Sequence, residues 1–388
     1  MTLSMARQIV LAARLQGTPH VTDFRLEDTA LPTPAAGQLL LGVQYLSLDP
    51  SMRLLMDDRQ SDTTPLPLGE VMPGEAVAQV LTSHHPAYAA GDLVLAPTGW
   101  RTHALSDGTG LRQLDPAVAP VTTALGVLGM PGFTAYAGVR LIGTPRPHDT
   151  VVVAAASGPV GSLVGQLAQL AGARAVGIAG SAEKCAFVQD DLRFDAAVNH
   201  RAADFPAQLA AVCPNGIDVY FENVGGAIWQ AVLPLLNQGA RVPVCGLIAQ
   251  YNGVGQGNGT DGLPATMREI LSKSLTLRGF LYHECAAEHY PAFLREVGAG
   301  VATGRIRYRE DIVDGLEKAP EAFLGLLEGR NFGKVIVRVD ASRQDGAARR
   351  RHTGGGRPVE GWWGVSSARC TTGDHHGRTT IAHTAWHS

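Results

Sequence analysis

The sequence predicts an α/β protein in which a compact β-barrel-like domain is joined to a doubly wound parallel sheet. Three observations carry this. Residues 1–125 hold short strand-like runs separated by proline- and glycine-bearing turns. From about residue 126, apolar runs alternate with helically spaced segments, the pattern of a parallel sheet covered on both faces. A chain of 388 residues is long for a single hydrophobic core, so two domains are expected.

The strand-like runs of the first part are Gln8–Ala13, Gln38–Leu46, Ala76–Leu81 and Leu93–Ala96, with turns at Pro65–Gly69 and Pro97–Gly99. Those of the second part are Val151–Ala155, Ala175–Ala179, Ala196–Asn199, Ile217–Phe221, Arg241–Cys245 and Leu275–Phe280. Between them, 160–171, 182–191 and 226–236 show helical spacing. Residues 285–340 return to a mixed region ending in a strand, Lys334–Val339, which can rejoin the first domain. The expected division is therefore 1–125 plus 300–340 for the barrel domain and 126–299 for the parallel-sheet domain. Residues 341–388 differ in composition. They hold Trp362, Trp363 and Trp386, with seven Arg against three acids, and show no hydrophobic period. They read as a disordered tail, and a shifted reading frame would give similar composition.

With 45% hydrophobic and 17% charged residues, the chain can bury a sizeable core. A net charge of −3 gives no electrostatic reason to expect nucleic acid or an anionic membrane as partner. The five cysteines form no C-x-x-C pair and are odd in number, which points to free thiols in a reducing cytoplasm. The N-terminus lacks the apolar core of a secretory signal. No run of about 18 apolar residues is present, so no membrane span is expected.

The first strand of the second part runs into Ala156-Ser157-Gly158-Pro159-Val160-Gly161 and then a helix. Glycine at 158 allows a tight turn close to a pyrophosphate, and Gly161 allows the helix to pack closely on the strand. The free N–H groups and positive dipole end of the helix can then hold the phosphates of a dinucleotide, as in a Rossmann unit. A Gly-x-x-Gly by itself also fits a plain structural turn. The strand before it and the helix after it favour the nucleotide reading.

The second strand distinguishes the two nicotinamide cofactors. It ends Ile178-Ala179-Gly180-Ser181, without the acid that bonds a ribose 2′-hydroxyl in NAD enzymes. Lys184 follows one turn later and suits a 2′-phosphate. Such a charge-assisted contact is worth about 1.5–3 kcal/mol, roughly a 10–150-fold preference for NADPH. The alternative is that Lys184 is a solvated helix lysine.

These stretches are joined by Arg7–Arg14, Leu46–Pro50, Gly129–Tyr136, Phe221-Glu-Asn-Val-Gly-Gly226, Cys245–Asn252 and Gly329–Lys334. Together they resemble the zinc-independent branch of the medium-chain dehydrogenase/reductase superfamily. Within it, the likeness is to leukotriene B4 12-hydroxydehydrogenase/prostaglandin reductases and NADP-dependent double-bond (2-alkenal) reductases, over about 7–339. The resemblance implies a GroES-like β-barrel domain beside the Rossmann domain, and a homodimer. It implies cofactor contacts at Gly158, Pro159, Val160, Gly161, Gly180, Ser181, Lys184, Asn223, Phe280, Leu281, Tyr282 and Asn331. Cys245, Gly246, Leu247, Ile248 and Tyr251 correspond to the segment lining the nicotinamide. Asn223 reads equally as a turn residue before Gly225-Gly226. Cys245 lacks a visible base and reads as a strand-end cysteine rather than a nucleophile.

The chain departs from the family pattern in places. His200 stands where a tyrosine is usual; as a cofactor contact it can still bond the phosphate or stack on the adenine, with Arg201 beside it to keep the potential positive. Ser51 replaces a tyrosine on the substrate side, and Pro73 replaces a residue that is commonly Arg. The region of the Gly-His-Glu motif of zinc alcohol dehydrogenases reads Pro73-Gly74-Glu75, and the first cysteine is Cys185. A catalytic zinc is therefore not expected.

The activity implied is reduction of the conjugated C=C bond of an enone, a 2-alkenal or a 15-oxo-prostaglandin-type lipid by NADPH. Without metal, the protein orients the substrate and stabilises the oxyanion. Tyr251 is the candidate donor to that oxygen, and it can equally serve only to pack on the cofactor. Tyr45, Met52, Met130, Tyr136 and Tyr282 are candidates to wall the substrate cleft, each reading equally as core. The glycine-rich run Gly253–Gly262 is a candidate lid or a plain loop. Quinone reduction, and a non-catalytic crystallin-like NADPH-binding role, are the alternative functions.

Overall fold

Strand pairing sorts the elements into a two-stranded ribbon, a seven-stranded sheet in which one strand branches off the main order, and a six-stranded sheet. The computed structural model describes residues 5–15, 17–57, 64–252 and 262–339, which belong to one compact unit. Most of the glycine-rich run 253–262 and the tail 341–388 lie outside the described residues.

The barrel part begins with β1 (Met5–Leu11) and β2 (Phe24–Ala30), an antiparallel ribbon. It continues with β3 (Leu39–Ser47), a 3-10 turn at Pro50–Met56, β4 (Ala76–Ser83), β5 (Leu93–Ala96), β6 (His103–Ser106) and β7 (Arg112–Leu114). Alternation within β3 and β4 sends Leu39, Leu41, Val43, Ala76, Ala78 and Val80 inward. Trp100 stacks on Phe24 with ring centroids 5.6 Å apart and meets Phe323 edge-on at 5.7 Å.

The second part opens with α1 (Met130–Ala137), then alternates β8 (Thr150–Ala154), α2 (Pro159–Leu170), β9 (Arg174–Ala179), α3 (Ala182–Ala186) and β10 (Ala196–Asn199). It continues through α4 (Phe205–Val212), β11 (Ile217–Phe221), α5 (Gly226–Val232), β12 (Leu236–Val244), α6 (Leu263–Lys273) and β13 (Thr276–Gly279). All six strands pair in parallel, in the order β10-β9-β8-β11-β12-β13. Sequence order reverses between β8 and β11, the switch point where such sheets bind ligands at their C-terminal edge.

The chain then forms α7 (His283–Ala302), β14 (Glu310–Asp314), α8 (Ala319–Leu327) and β15 (Lys334–Arg338). β15 pairs antiparallel with β3 through Ile336–Ser47, Val337–Leu46 and Arg338–Tyr45, and parallel with β14. A buried ion pair, Lys334 with Asp49, sits at the start of β15, and Lys334 Nζ also donates to Leu48 O at 2.8 Å.

Several sequence expectations needed correction. The predicted strand Arg241–Cys245 begins earlier, at Leu236, because a register shift between Ile217 and Val219 lets β12 pair on both sides of Gly239, which takes a positive φ. The helix predicted over 182–191 is α-helical only to Ala186 and widens into a π turn over Phe187–Asp191. The helix over 226–236 gives way to a 3-10 turn at Leu233–Leu235. The supposedly mixed region opens with the long helix α7, whose interior Pro291 reads in sequence as a breaker. Its buried residues Phe293, Val297 and Gly300 keep helical spacing, and burial of that stripe outweighs the lost hydrogen bond.

Gly161 is where the fold leaves no room for a side chain. A methyl group there would lie 2.8 Å from Ala156 Cα and closer still to Ala155 O. The tight turn falls on Ala155, at φ +54°, whereas Gly158 has an ordinary φ of −83°. Gly161→Ala should therefore lower stability by about 1–3 kcal/mol through overpacking, while Gly158→Ala should cost less. Chemical denaturation of the two variants measures both, and equal effects would refute the assignment.

Candidate nucleotide and substrate cleft

The candidate phosphate loop is built where β8 meets α2. Ala156 N–H donates to Ile178 O at 2.9 Å, holding the loop against β9, and Gly158 caps α2 with Pro159 as its first residue. The first turn of a helix leaves N–H groups without intrahelical partners, here those of Val160 and Gly161. From the barrel side, Gly333 N–H donates to Ser157 O at 3.0 Å.

Beside this loop, cations gather around Gly180. A side chain at Gly180 would meet His200 Nε2 at 3.3 Å and Arg201 Nε at 3.7 Å. Ser181 caps α3 by accepting from Lys184 N–H at 3.2 Å, which turns the lysine toward the same corner. Lys184 is no solvated helix lysine: it is 8% exposed, and its Nζ donates to Gly329 O at 2.6 Å and lies 5.5 Å from the Phe332 ring centre. Arg201 donates to Glu328 O at 3.3 Å. Burial lowers the Lys184 pKa, and neighbouring Arg201 lowers it further. Burial also lowers that of His200, with Arg201 and Lys184 adding to the effect, so His200 is the group most readily neutral here. His200 also lines an open groove of about 440 Å³ with Phe205, Gln230 and Leu235.

At the end of β11, Asn223 Nδ2 donates to Ala154 O at 2.8 Å and so bridges the switch point. Glu222, which the sequence reading did not single out, is buried behind it. One of its carboxylate oxygens accepts from Val224 N–H at 2.7 Å, Gly225 N–H at 2.8 Å and the Tyr220 hydroxyl at 3.0 Å. An acid closing the apolar run Ile217–Phe221 was the available signal. Burial raises the Glu222 pKa.

The segment 245–251 hangs from this corner. Burial, with Glu222 nearby, pushes the Cys245 thiol up to about 12. The Tyr251 hydroxyl lies over Gly246, 3.4 Å from where a β-carbon would stand. Burial raises the pKa of Tyr251, and a main-chain hydrogen bond from Leu247 partly offsets this.

The remaining candidates separate. Phe280 is buried against Phe221, with centroids 6.3 Å apart, so its ring is core. Leu281 and Tyr282 are exposed. Asn331 donates to Gly333 O at 2.8 Å within its own turn. Of the substrate-wall candidates, three are buried in apolar clusters. Tyr45 packs with Val77 and Ile336, Met52 with Met56 and Trp100, and Tyr136 with Phe133 and Phe293. Met130 is half-buried at the start of α1. Tyr282 keeps part of its ring out of solvent: this partial burial raises its pKa, and the nearby Glu75 and Asp49 add to the effect. Glu75 is itself raised, by burial first and then by Asp49. Among the described residues, no group of three or more His, Cys, Asp or Glu is placed to hold a metal ion.

Comparison with known proteins agrees with this geometry. Residues 7–114 match the family described as the N-terminal domain of oxidoreductase, and 159–298 match that described as zinc-binding dehydrogenase. The chain is 49% identical to the NADPH-dependent curcumin reductase of Escherichia coli (strain K12), over 86% of this chain and 96% of the relative. It is 38% identical to prostaglandin reductase 1 of Bos taurus, over 86% and 99% of the two chains. The crystal structure of CurA in complex with NADPH from Vibrio vulnificus superposes with a TM-score of 0.83 at 50% identity, over 86% and 99%. The chain belongs to the zinc-independent medium-chain dehydrogenase/reductase family.

A thiol protonated until about pH 12 is a poor nucleophile. Alkylation of Cys245 at pH 7, followed by peptide mass mapping, should run on the order of a thousandfold slower than that of a free cysteine. Rapid labelling would contradict the buried-thiol account.

Proposed function

We propose that this protein uses NADPH to reduce the C=C bond of α,β-unsaturated aldehydes or ketones without a metal. The observation that carries the reading is the acid-free end of β9, ringed by Lys184, His200 and Arg201. The residues present fit NADPH. The close contact at Gly161 brings the α2 N-terminus to the switch point, and the cations at Gly180 suit a 2′-phosphate. The identity to a curcumin reductase and to prostaglandin reductase 1 supports the conjugated carbonyl as substrate class.

When bound, the nicotinamide supplies hydride to the β-carbon of the substrate. The chain's own part is to orient the carbonyl and stabilise the negative charge that moves to its oxygen. Tyr251 is the donor to that oxygen: its raised pKa keeps the hydroxyl protonated well above neutral pH. The α-carbon then takes a proton, and the saturated carbonyl leaves. Residues 1–125 with 300–340 form the substrate side, and 126–299 the nucleotide side. Asn331, close to Gly333 and the phosphate loop, contacts the cofactor from the barrel side.

The active form is a cytoplasmic homodimer. β13 is an exposed sheet edge along its whole length, and α6 exposes Leu263, Met267 and Leu271 beside it. Two identical edges can pair antiparallel about a two-fold axis. Light scattering should give a dimer, and Leu277→Asp should yield monomer; a monomeric wild-type chain would refute this.

The activity is tested by NADPH oxidation with a panel of enals, enones, quinones and simple aldehydes. Turnover should concentrate on enals and enones; turnover on quinones alone, or none, would overturn the proposal. Lys184→Ala should raise KM for NADPH about tenfold or more with little effect on NADH, and equal effects would refute the phosphate assignment.

A further inference from the structure

The segment that carries Tyr251 is held from two sides. On the nucleotide side, Cys245 and Gly246 N–H donate to Glu222 O at 2.9 and 3.2 Å, Ile248 N–H to Asn223 O at 3.3 Å, and Ala249 N–H to Val224 O at 3.0 Å. On the other side, Arg53 reaches it from the 3-10 turn of the barrel. Its Nε donates to Asn252 Oδ1 at 3.0 Å. Arg53 is 0% exposed. Its guanidinium also donates to Gly17 O at 2.8 Å and pairs with Asp57 at 3.5 Å.

The barrel therefore fixes the guanidinium before it meets Asn252. A buried, planar donor array cannot follow a moving partner without leaving an N–H unsatisfied. The contact is a fixed point on the opposite wall, one residue beyond Tyr251. We infer that Arg53 and Asn252 are positioning residues for Tyr251, setting from across the cleft where its hydroxyl meets the substrate oxygen. This rests on the donor reading of Tyr251. A misplacement of about 1 Å can cost on the order of 100-fold in rate, so the latch governs turnover rather than cofactor binding. The signal in sequence was a charged residue inside the apolar run Met52-Arg53-Leu54-Leu55-Met56.

Arg53 is fully buried, and its removal can unfold the barrel, so the test is made on Asn252. Asn252→Ala and Asn252→Asp are compared in the wild-type chain and in Tyr251→Phe. Asn252→Ala should lower kcat roughly tenfold and leave the NADPH Kd, read by fluorescence, and the Tm unchanged. Amide exchange in the peptide around Tyr251 should quicken in the same variant. Asn252→Asp keeps an acceptor for Arg53 and should recover most of the lost turnover. In the Tyr251→Phe background, Asn252→Ala should have no further effect. Wild-type kcat in Asn252→Ala, or an equal loss in both backgrounds, overturns the inference. Failure of the donor reading shows separately, as Tyr251→Phe turning over at the wild-type rate.

Discussion

The ion pair between Lys334 and Asp49 anchors the return strand β15 in the barrel, and through the turn before it the seam with the parallel-sheet half. Both groups are buried, and Lys334 is further held by Leu48 O at 2.8 Å. A desolvated ammonium deprived of its carboxylate is strongly unfavourable, so the start of β15 has one stable place. That place dictates the course of the preceding turn. Gly333 N–H meets Ser157 O, and Gly329 O meets the Lys184 ammonium. The turn before the return strand thereby ties the barrel to the β8–α2 loop and to α3 of the parallel-sheet half.

Seen from the nucleotide side, the same seam explains the charge arrangement. Lys184 and Arg201 donate to the carbonyls of Gly329 and Glu328, which are neutral acceptors. Neither cation is neutralised by these contacts. The corner at Gly180 therefore keeps its positive potential while the side chains are already oriented, the state that suits an incoming phosphate. His200 contributes a ring whose charge is disfavoured there. A neutral imidazole can still donate or accept a hydrogen bond.

Much of this was legible in the sequence, for identifiable reasons. Strands β5, β10 and β11 have the bounds that alternation and apolar runs predict, because each is closed by turn residues. The phosphate loop was readable because strand, glycines and helix follow one another directly. The close packing at Gly161 was readable too, but the tight turn was not, because the positive φ falls on Ala155 rather than on Gly158. Tyr45, Met52 and Tyr136 were ambiguous in sequence because aromatic and thioether side chains serve cores and clefts alike; all three are buried in the fold. The roles of Arg53 and Glu75 were not legible because they come from partners distant in sequence, such as Asn252 for Arg53 and Asp49 for Glu75, whereas Glu222 takes its partners from its own turn, Tyr220, Val224 and Gly225.

Burial keeps the Tyr251 phenol protonated, and such a donor suits a substrate whose own conjugation makes it electrophilic. The most direct measurement of this account is product NMR after reducing an enone with NADPH deuterated at both C4 positions. The account predicts deuterium on the β-carbon of a saturated ketone. Deuterium on a carbinol carbon, marking direct reduction of the carbonyl, would contradict it.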